Sequence, residues 1–438
     1  MSQTQATGLV RGIHRWDLVG LGINFVVGAG IFGLPSKVFS LSGPWSLLAY
    51  VVCAATVILI VLCFSEVASR FTQTGGPYLY AREAFGPFIG FEVGWLRWLA
   101  GVASFGANSN LLIDYLSYFW PAAHEGVLRA LVLTVIVILM TTVNVIGVRD
   151  TTIASNVMAV GKMIPLLLFI AVGIFYIDPR NFAVTSQPAY GTFSMSVLLL
   201  VYAFTNFEAI GVPAGEVRDP QRTVPFALLT TIGIVTLLYV LIQVVCIGTL
   251  PGLAESARPL TDASRRFLGE PGVYLLSLGV VISIMGNLTV QLLVTPRMLF
   301  AMGERHDLPK LLAAVHRRFR TPHIAIIISA CVVLGLALSG TFIQLVTISV
   351  MARLVMYGAT CAALPVLRRK GGVPPPSFRL PAGSVISIIS VVLCIWMLLN
   401  STKREAFMTG TAIGFGLLMY FGYRLWTSVG RKNTSSSA

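Results

Sequence analysis

The stretch "NFVVGAGIFGLPSK", residues 24–37, lies within the first long apolar run of the chain. Glycine and proline are the poorest helix formers, and four of them occur within eight residues: Gly28, Gly30, Gly33 and Pro35. An apolar run of this length is typical of a membrane-spanning helix. We therefore expect a membrane helix over 17–41 that is interrupted at its glycines.

The composition indicates an integral membrane protein. Of the 438 residues, 56% are hydrophobic and 11% are charged, whereas a soluble domain has about 25% charged residues. The runs are continuous rather than alternating, which favours helices over a β-barrel. We predict an all-α protein with twelve transmembrane helices, near 17–41, 45–67, 87–117, 126–147, 154–176, 193–215, 224–249, 272–301, 323–340, 342–366, 382–400 and 406–427.

The charge distribution predicts the orientation. The chain begins with polar residues, and its first apolar run is too long for a signal peptide, so we expect both termini in the cytoplasm. The basic segments 305–320 and 368–379 then lie on the inner side, as the positive-inside rule requires. Basic loops beside anionic lipid account for the net charge of +14 without nucleic-acid binding. Short tails fit a bacterial inner membrane; a eukaryotic permease with a light-chain partner is the alternative.

Other classes of protein lack their signatures here. All six cysteines lie in apolar runs, and no histidine has a second ligand at metal spacing, so we expect neither a metal nor a cofactor. The chain has no HExxH, GxSxG or GxxxxGK[ST] motif, which argues against an enzyme or an ATP-driven pump. A channel would be expected to show a repeated pore motif.

A second interrupted run changes the interpretation of the first. Residues 193–215 contain Asn206 and Glu208 near the middle, followed by two glycines and a proline. Interrupted helices at corresponding positions in two halves of a chain indicate a transporter's substrate site. Unwound backbone offers N–H groups to an anion and carbonyl groups to a cation. An α-amino acid carries both charges a few ångströms apart.

The sequence resembles the amino acid–polyamine–organocation superfamily of permeases, which have a LeuT-type fold. The motifs that carry the resemblance occur in the family's order: "GAGIF" at 28–32, "SEVASRFTQTGGPYLYAREAFGP" at 65–87, "YAFTNFEAIGVPAGEVRDPQRTVP" at 202–225, "TPRMLFAMGERHDLP" at 295–309 and "ALPVLRRK" at 363–370. The resemblance implies two inverted five-helix repeats, with helices 1 and 6 discontinuous, and two further helices. It places the repeats at 17–177 and 193–366 and the last two helices at 382–427, between tails at 1–16 and 428–438.

The resemblance also implies the substrate site. Backbone N–H groups next to Gly28 would hold the substrate carboxylate, and carbonyl groups in both breaks would hold its amino group. Core packing is the favoured role for Phe207, and it is an equal alternative to substrate contact for Tyr202 and Phe204. Asn206 departs from the glycine usual at that position. The implied substrate-binding residues are Val26, Gly28, Ala29, Gly30, Ile31, Ser104, Asn108, Tyr202, Phe204, Thr205, Asn206 and Phe207.

Four further residues are candidates for coupling or gating. Ionisable groups at membrane depth are functional by default. We expect Lys162 either to exchange a proton during transport or to brace the first helix, and Glu208 to organise the second break or to bind a basic substrate. Arg353 would pair with Glu208 or Glu92, or face a water-filled path. Ser283 is the fourth candidate.

The sequence thus predicts a secondary active amino acid permease that works by alternating access. A neutral or apolar substrate is expected because the presumed pocket contains Phe204, Phe207, Val26 and Val27. The alternative is a polyamine or cationic amino acid bound by Glu208. The expected partners are the amino acid, the lipid bilayer and, in a symporter, protons; the chain would be a monomer or a homodimer.

Overall fold

The computed structural model describes residues 13–435 except 74, 118, 147–150, 185 and 320. The predicted tails therefore lie partly outside the described residues. Within them the chain is helical, and its one β-type contact is an isolated bridge between Ile13 and Val217. The helices are α1 (Arg15–Val26), α2 (Ala29–Ser42), α3 (Ser46–Ala68), α4 (Gly76–Phe85), α5 (Pro87–Leu116), α6 (Gly126–Ile146), α7 (Thr151–Gly173), α8 (Tyr190–Ala203), α9 (Pro220–Thr249), α10 (Pro259–Glu304), α11 (His323–Ser339), α12 (Phe342–Arg369), α13 (Gly383–Leu399) and α14 (Lys403–Ser435).

Eight helical segments of the described chain are long and apolar enough to cross a membrane. They are Ala29–Ala68, Gly126–Ile146, Ala159–Tyr176, Tyr190–Gly211, Pro220–Thr249, Pro259–Glu304, Phe342–Arg369 and Lys403–Leu425. Two shorter apolar helices, α11 and α13, accompany them. α5 is not among the eight because buried polar residues such as Arg97, Asn108 and Asn110 lower its hydropathy. The protein is therefore a multi-pass membrane protein.

α5 occupies the centre of the bundle, where it packs against α10, α11 and α12. α1 packs on α7 and α9, and α2 packs on α8. α14 contacts only α5 and α12 appreciably within the described chain, and more than half of its side chains between residues 403 and 425 are exposed. Small residues allow these close approaches: a Cβ atom at Gly101 of α5 would lie 2.4 Å from Oγ1 of Thr295 in α10.

One end of the bundle, which we call the basic end, carries the connections between α3 and α5, between α10 and α11, and between α12 and α13. Ion pairs hold these connections together. Arg82 of α4 lies 2.5 Å from the carboxylate of Asp307, which follows α10, and Lys370 lies 3.3 Å from Glu83 of α4. The short helix α4 therefore contacts the connections that follow both α10 and α12.

Candidate functional site

The first apolar run is interrupted at its glycines. α1 ends at Val26 and α2 begins at Ala29, with Val27 and Gly28 extended between them. A break of this kind leaves the last carbonyl groups of one helix and the first N–H groups of the next without helical partners. Both intervening residues are buried, so these groups are sheltered from water and need other partners.

Lys162 of α7 binds the end of α1. Its Nζ atom donates hydrogen bonds to the carbonyl oxygens of Asn24, at 3.2 Å, and Val27, at 2.8 Å. The lysine side chain is buried. A cation at a helix C-terminus also interacts favourably with the helix dipole. The ammonium group therefore replaces helical donors that the break removes.

Two other side chains complete this carbonyl-rich end. Nδ2 of Asn287 donates to the carbonyl oxygen of Phe25 at 3.1 Å. The hydroxyl of Tyr239 lies 3.2 Å from the carbonyl oxygen of Val26 and 3.1 Å from that of Ala203, the last residue of α8. Tyr239 therefore joins the two interrupted helices.

The first turn of α2 contrasts with this end. The backbone N–H groups of Ala29, Gly30 and Ile31 have no hydrogen-bond acceptor within the described ranges, although all three residues are buried. Unpaired buried N–H groups are rare in folded proteins. These donors, at the positive end of a helix dipole, suit an anionic group.

The glycines of the first break permit close contact with neighbouring helices. A Cβ atom at Gly30 would lie 2.6 Å from the Cα atom of Ala203, and one at Gly28 would lie 2.9 Å from Nδ2 of Asn287. Side chains at these positions would therefore collide with α8 and α10. Glycine is needed at 30, where the neighbour is the backbone of Ala203, whereas a side chain at 28 would displace the amide of Asn287.

The second interrupted run is built differently. α8 ends at Ala203, and a short 3-10 helix, Phe207–Gly211, follows Asn206. Asn206 has a left-handed backbone conformation, with φ 72°, which glycine and asparagine tolerate best. This geometry explains why asparagine can replace the glycine usual in the resembling family. The side-chain oxygen of Asn206 accepts a hydrogen bond from Nη2 of Arg353 at 2.6 Å.

Two arginines share one carboxylate beside this break. Oε1 of Glu208 lies 3.1 Å from Nε of Arg353 and 3.4 Å from Nε of Arg97, and the hydroxyl of Tyr357 donates to Oε2 at 2.8 Å. All four side chains are buried. Among the partners considered for Arg353, the structure selects Glu208 rather than Glu92. Arg97 was not predicted, although an arginine inside "GWLRWLAG" is a visible signal.

A chain of hydrogen bonds crosses the bundle between the breaks. The hydroxyl of Tyr202 donates to Oδ1 of Asn108 at 3.0 Å and accepts from Oγ of Ser104 at 3.2 Å. Nδ2 of Asn108 donates to Oδ1 of Asn287 at 2.7 Å, and Nε2 of Gln291 donates to the same oxygen. The structure thus brings together three predicted residues and adds two polar residues of α10.

The predicted aromatic residues lie in packed surroundings. The ring of Phe204 is 5.3 Å from that of Tyr239. The ring of Phe207 is 5.2 Å from that of Phe64 and 4.9 Å from that of Tyr357. Phe204 therefore contacts the side chain that joins the two breaks, whereas Phe207 belongs to an aromatic cluster.

Two further predicted residues take different positions. The hydroxyl of Thr205 donates to the carbonyl oxygen of Tyr202 at 2.7 Å. Ser283 of α10 is buried, and its hydroxyl has no hydrogen-bond partner among the described residues. Nowhere among the described residues are three or more His, Cys, Asp or Glu side chains grouped so that they could hold a metal ion.

Comparison with known protein families identifies the family of this chain. A family model described as amino acid permease matches residues 13–420. The chain belongs to the amino acid permease family. The permease therefore falls within the amino acid–polyamine–organocation superfamily, as the sequence motifs predicted. Membership of this family indicates a transporter rather than an enzyme.

Relatives of the permease cover almost its whole length. A methylthioribose transporter of Bacillus subtilis is 28% identical over 96% of this chain and 95% of its own. A serine/threonine exchanger from the same organism is 26% identical over 96% and 98% of the two chains. A branched-chain amino acid permease, also from Bacillus subtilis, is 25% identical over 95% and 93%. These relatives transport different solutes, so similarity alone does not select a substrate.

Proposed function

We propose that this permease is a secondary active transporter of neutral amino acids that works by alternating access around the two helix breaks. The observation that carries the proposal is the set of buried N–H groups in the first turn of α2 that have no acceptor in the described structure. A substrate carboxylate satisfies these donors. The adjacent breaks supply carbonyl oxygens for the substrate ammonium group, as in other transporters with broken helices.

The ammonium group would bind carbonyl oxygens of Val26, Tyr202 and Thr205. Those of Val26 and Tyr202 each accept a hydrogen bond from a protein side chain, Tyr239 and Thr205 respectively. A carbonyl oxygen has two lone pairs, so that of Val26 retains a place for one substrate proton. The carbonyl oxygen of Tyr202 also accepts the backbone N–H of Thr205 at 3.1 Å, so a substrate proton there would replace one of these two bonds. Ser104 and Asn108 would face the substrate through the network that contains Tyr202.

We propose a neutral substrate because the charged side chains beside the second break carry a net positive charge. Glu208 is the acid that a polyamine or cationic amino acid would use. Its carboxylate already lies against the guanidinium groups of Arg97 and Arg353. A cation entering beside this cluster would face two positive charges and one negative charge. The named substrates of two relatives, serine or threonine and branched-chain amino acids, are also neutral.

For the topology, we propose twelve spans: inverted repeats at 17–177 and 193–366, followed by two helices within 382–427. The two breaks support this arrangement, since each falls in the first long helix of its repeat. The basic end would face the cytoplasm, together with both termini, in accordance with the positive-inside rule.

For the energy source, we propose a proton gradient or exchange of one amino acid for another. Lys162 contacts the break directly, so a change in its charge would alter the end of α1. The serine/threonine relative is named as an exchanger. Exchange and proton symport differ in their response to an imposed pH gradient.

Counterflow in proteoliposomes tests the proposal. Vesicles containing purified permease would be loaded with one amino acid at a time, and uptake of a labelled mixture would be followed without an ion gradient. We expect accumulation with neutral amino acid loads and none with lysine or putrescine. Accumulation with the cationic loads alone would overturn the neutral assignment. A pH gradient added afterwards distinguishes symport from exchange.

A further inference from the structure

A cavity of about 370 Å³ opens at the basic end, away from the helix breaks. It lies where α3 and α12 end and where the segment 370–382 leads into α13. We call it the basic cavity. Its lining consists of four cationic side chains and several apolar residues: Arg70, Arg368, Lys370, Arg379, Leu367, Val373, Pro375 and Pro376.

Two of its arginines are held rigidly by Glu66. The carboxylate of Glu66 accepts from Nε of Arg368 at 2.7 Å, from Nη2 of Arg368 at 2.6 Å and from Nη2 of Arg70 at 3.4 Å. The backbone N–H of Leu380 donates to the same carboxylate at 2.8 Å. One negative charge thus fixes two guanidinium groups and leaves one positive charge in excess.

The other two cations add to this excess. Lys370 lies 3.3 Å from Glu83, but both side chains are 43% exposed, so the pair is solvated and weak. Arg379 is exposed and has no acidic partner in the part of the chain that is described. The lining therefore contains four cations, and Glu66 and Glu83 supply the two carboxylates paired with them.

Groups that would repel an anion are already engaged. The carbonyl oxygens of Leu367 and Pro374 accept from Nη1 of Arg70 at 3.4 and 3.2 Å. Prolines at 375 and 376 have a fixed backbone angle, which stiffens this wall of the cavity. The carboxylate of Glu66 and these two carbonyl oxygens are therefore bound to the guanidinium groups that line the cavity and are not free to face an anion.

We propose that the basic cavity binds a phosphate group. Guanidinium groups match the geometry of phosphate oxygens and bind them by paired, charge-assisted hydrogen bonds. Basic pockets between helices at the membrane boundary are suited to phospholipid headgroups. The phosphate therefore comes from an anionic phospholipid or from soluble phosphate, and these two sources can be separated experimentally.

The test compares two exposed cavity residues with a matched neighbour. The variant R379Q/K370Q removes two lining charges, whereas R369Q removes an exposed charge from the same end of α12 outside the cavity. Both variants spare Glu66 and the two arginines bound to it, so folding should be preserved. Full-length permease in detergent would receive phosphatidylglycerol, phosphatidylcholine or inorganic phosphate. Bound lipid is counted by native mass spectrometry, and stability is followed by thermal unfolding.

For a lipid source, we expect wild type and R369Q to retain phosphatidylglycerol and to gain thermal stability from it. R379Q/K370Q should retain at least fivefold less, and phosphatidylcholine should bind none of the three specifically. For a soluble source, inorganic phosphate gives the same pattern of stabilisation. If neither ligand distinguishes R379Q/K370Q from R369Q, the proposal is wrong. Neither measurement requires transport, so the result is independent of the proposed function.

Discussion

The Nζ atom of Lys162 lies 2.8 Å from the carbonyl oxygen of Val27, the residue that immediately precedes Gly28. A second carbonyl, that of Asn24, lies 3.2 Å from the same atom. One buried ammonium group thus supports the end of α1 where helical hydrogen bonding stops. This contact is the geometry that a bracing role for Lys162 requires, and it also places a titratable group at the break, so both expected roles stay predictions.

Replacing Lys162 with alanine should destabilise the permease. The change removes the hydrogen bonds that the carbonyls of Asn24 and Val27 accept from the ammonium group, at a cost of about 1–3 kcal/mol each. Thermal unfolding in detergent measures this loss. Leu167→Ala, on the exposed face of the same helix, is the control and should change stability little. An unchanged melting temperature in Lys162→Ala would contradict the bracing role.

The same variant tests proton coupling. Lys162→Ala vesicles would be compared with wild type in uptake driven by an imposed pH gradient. If Lys162 carries the coupling proton, the variant should keep counterflow but lose its response to the gradient. If uptake still follows the gradient unchanged, the coupling role is excluded and bracing alone remains.

Tyr239→Phe should impair transport more than it impairs folding. The substitution keeps the ring against Phe204 but removes the hydroxyl that joins the two breaks. Tyr115→Phe is a matched control, because its buried hydroxyl also binds a carbonyl, that of Phe32. Each change should lower stability by about 0.5–1.5 kcal/mol. Only Tyr239→Phe should lower the counterflow rate severalfold; equal rates in the two variants would refute a linking role.

The cluster around Glu208 predicts an order of stabilities. Glu208→Gln leaves the guanidinium groups of Arg97 and Arg353 uncompensated and should cost about 3–5 kcal/mol. Arg97→Met leaves a balanced Arg353–Glu208 pair and should cost much less. Chemical or thermal unfolding of both variants measures the difference. The interpretation fails if Arg97→Met proves to be the more damaging change.

Gly30→Ala should be poorly tolerated. Its Cβ atom would lie 2.6 Å from the backbone of Ala203, which cannot move without shifting α8. Overpacking of this kind costs about 1–3 kcal/mol. Gly233→Ala in α9 is the control, since no atom outside its own helix lies within 4 Å of the added Cβ. Equal melting temperatures and counterflow rates for the two variants would show that the contact is not close in solution.

Much of the fold follows from the positions of apolar residues and helix breakers. The glycines at 28 and 30 predict the first interruption, and every predicted apolar run contains helix in the structure. The sequence interpretation missed α4, and it began the eighth run at 272 although α10 starts at Pro259. Hydropathy detects runs long enough to cross lipid. A short helix such as α4 is not long enough to give that signal. The part of α10 before the kink at Gly269 is also too short to give it.

The candidate site was only partly predictable. Ser104, Asn108 and Tyr202 were named from the resemblance, and the structure joins them by hydrogen bonds. Asn287 and Gln291 were missed, although their i, i+4 spacing on an apolar helix marks one polar face. Apart from the bond between them, their partners lie on other helices, at least 179 positions away in the chain. A pattern within one helix indicates which face is polar, but it does not identify the neighbouring helix.

A tyrosine hydroxyl has one proton, yet that of Tyr239 stands between two carbonyl acceptors. The two interrupted helices therefore compete for a single donor. Under the proposed function, a substrate ammonium group at Val26 would supply that carbonyl with a donor of its own. The hydroxyl of Tyr239 would then donate to the carbonyl of Ala203 alone. Substrate binding at the first interrupted helix would thereby strengthen a hydrogen bond to the second.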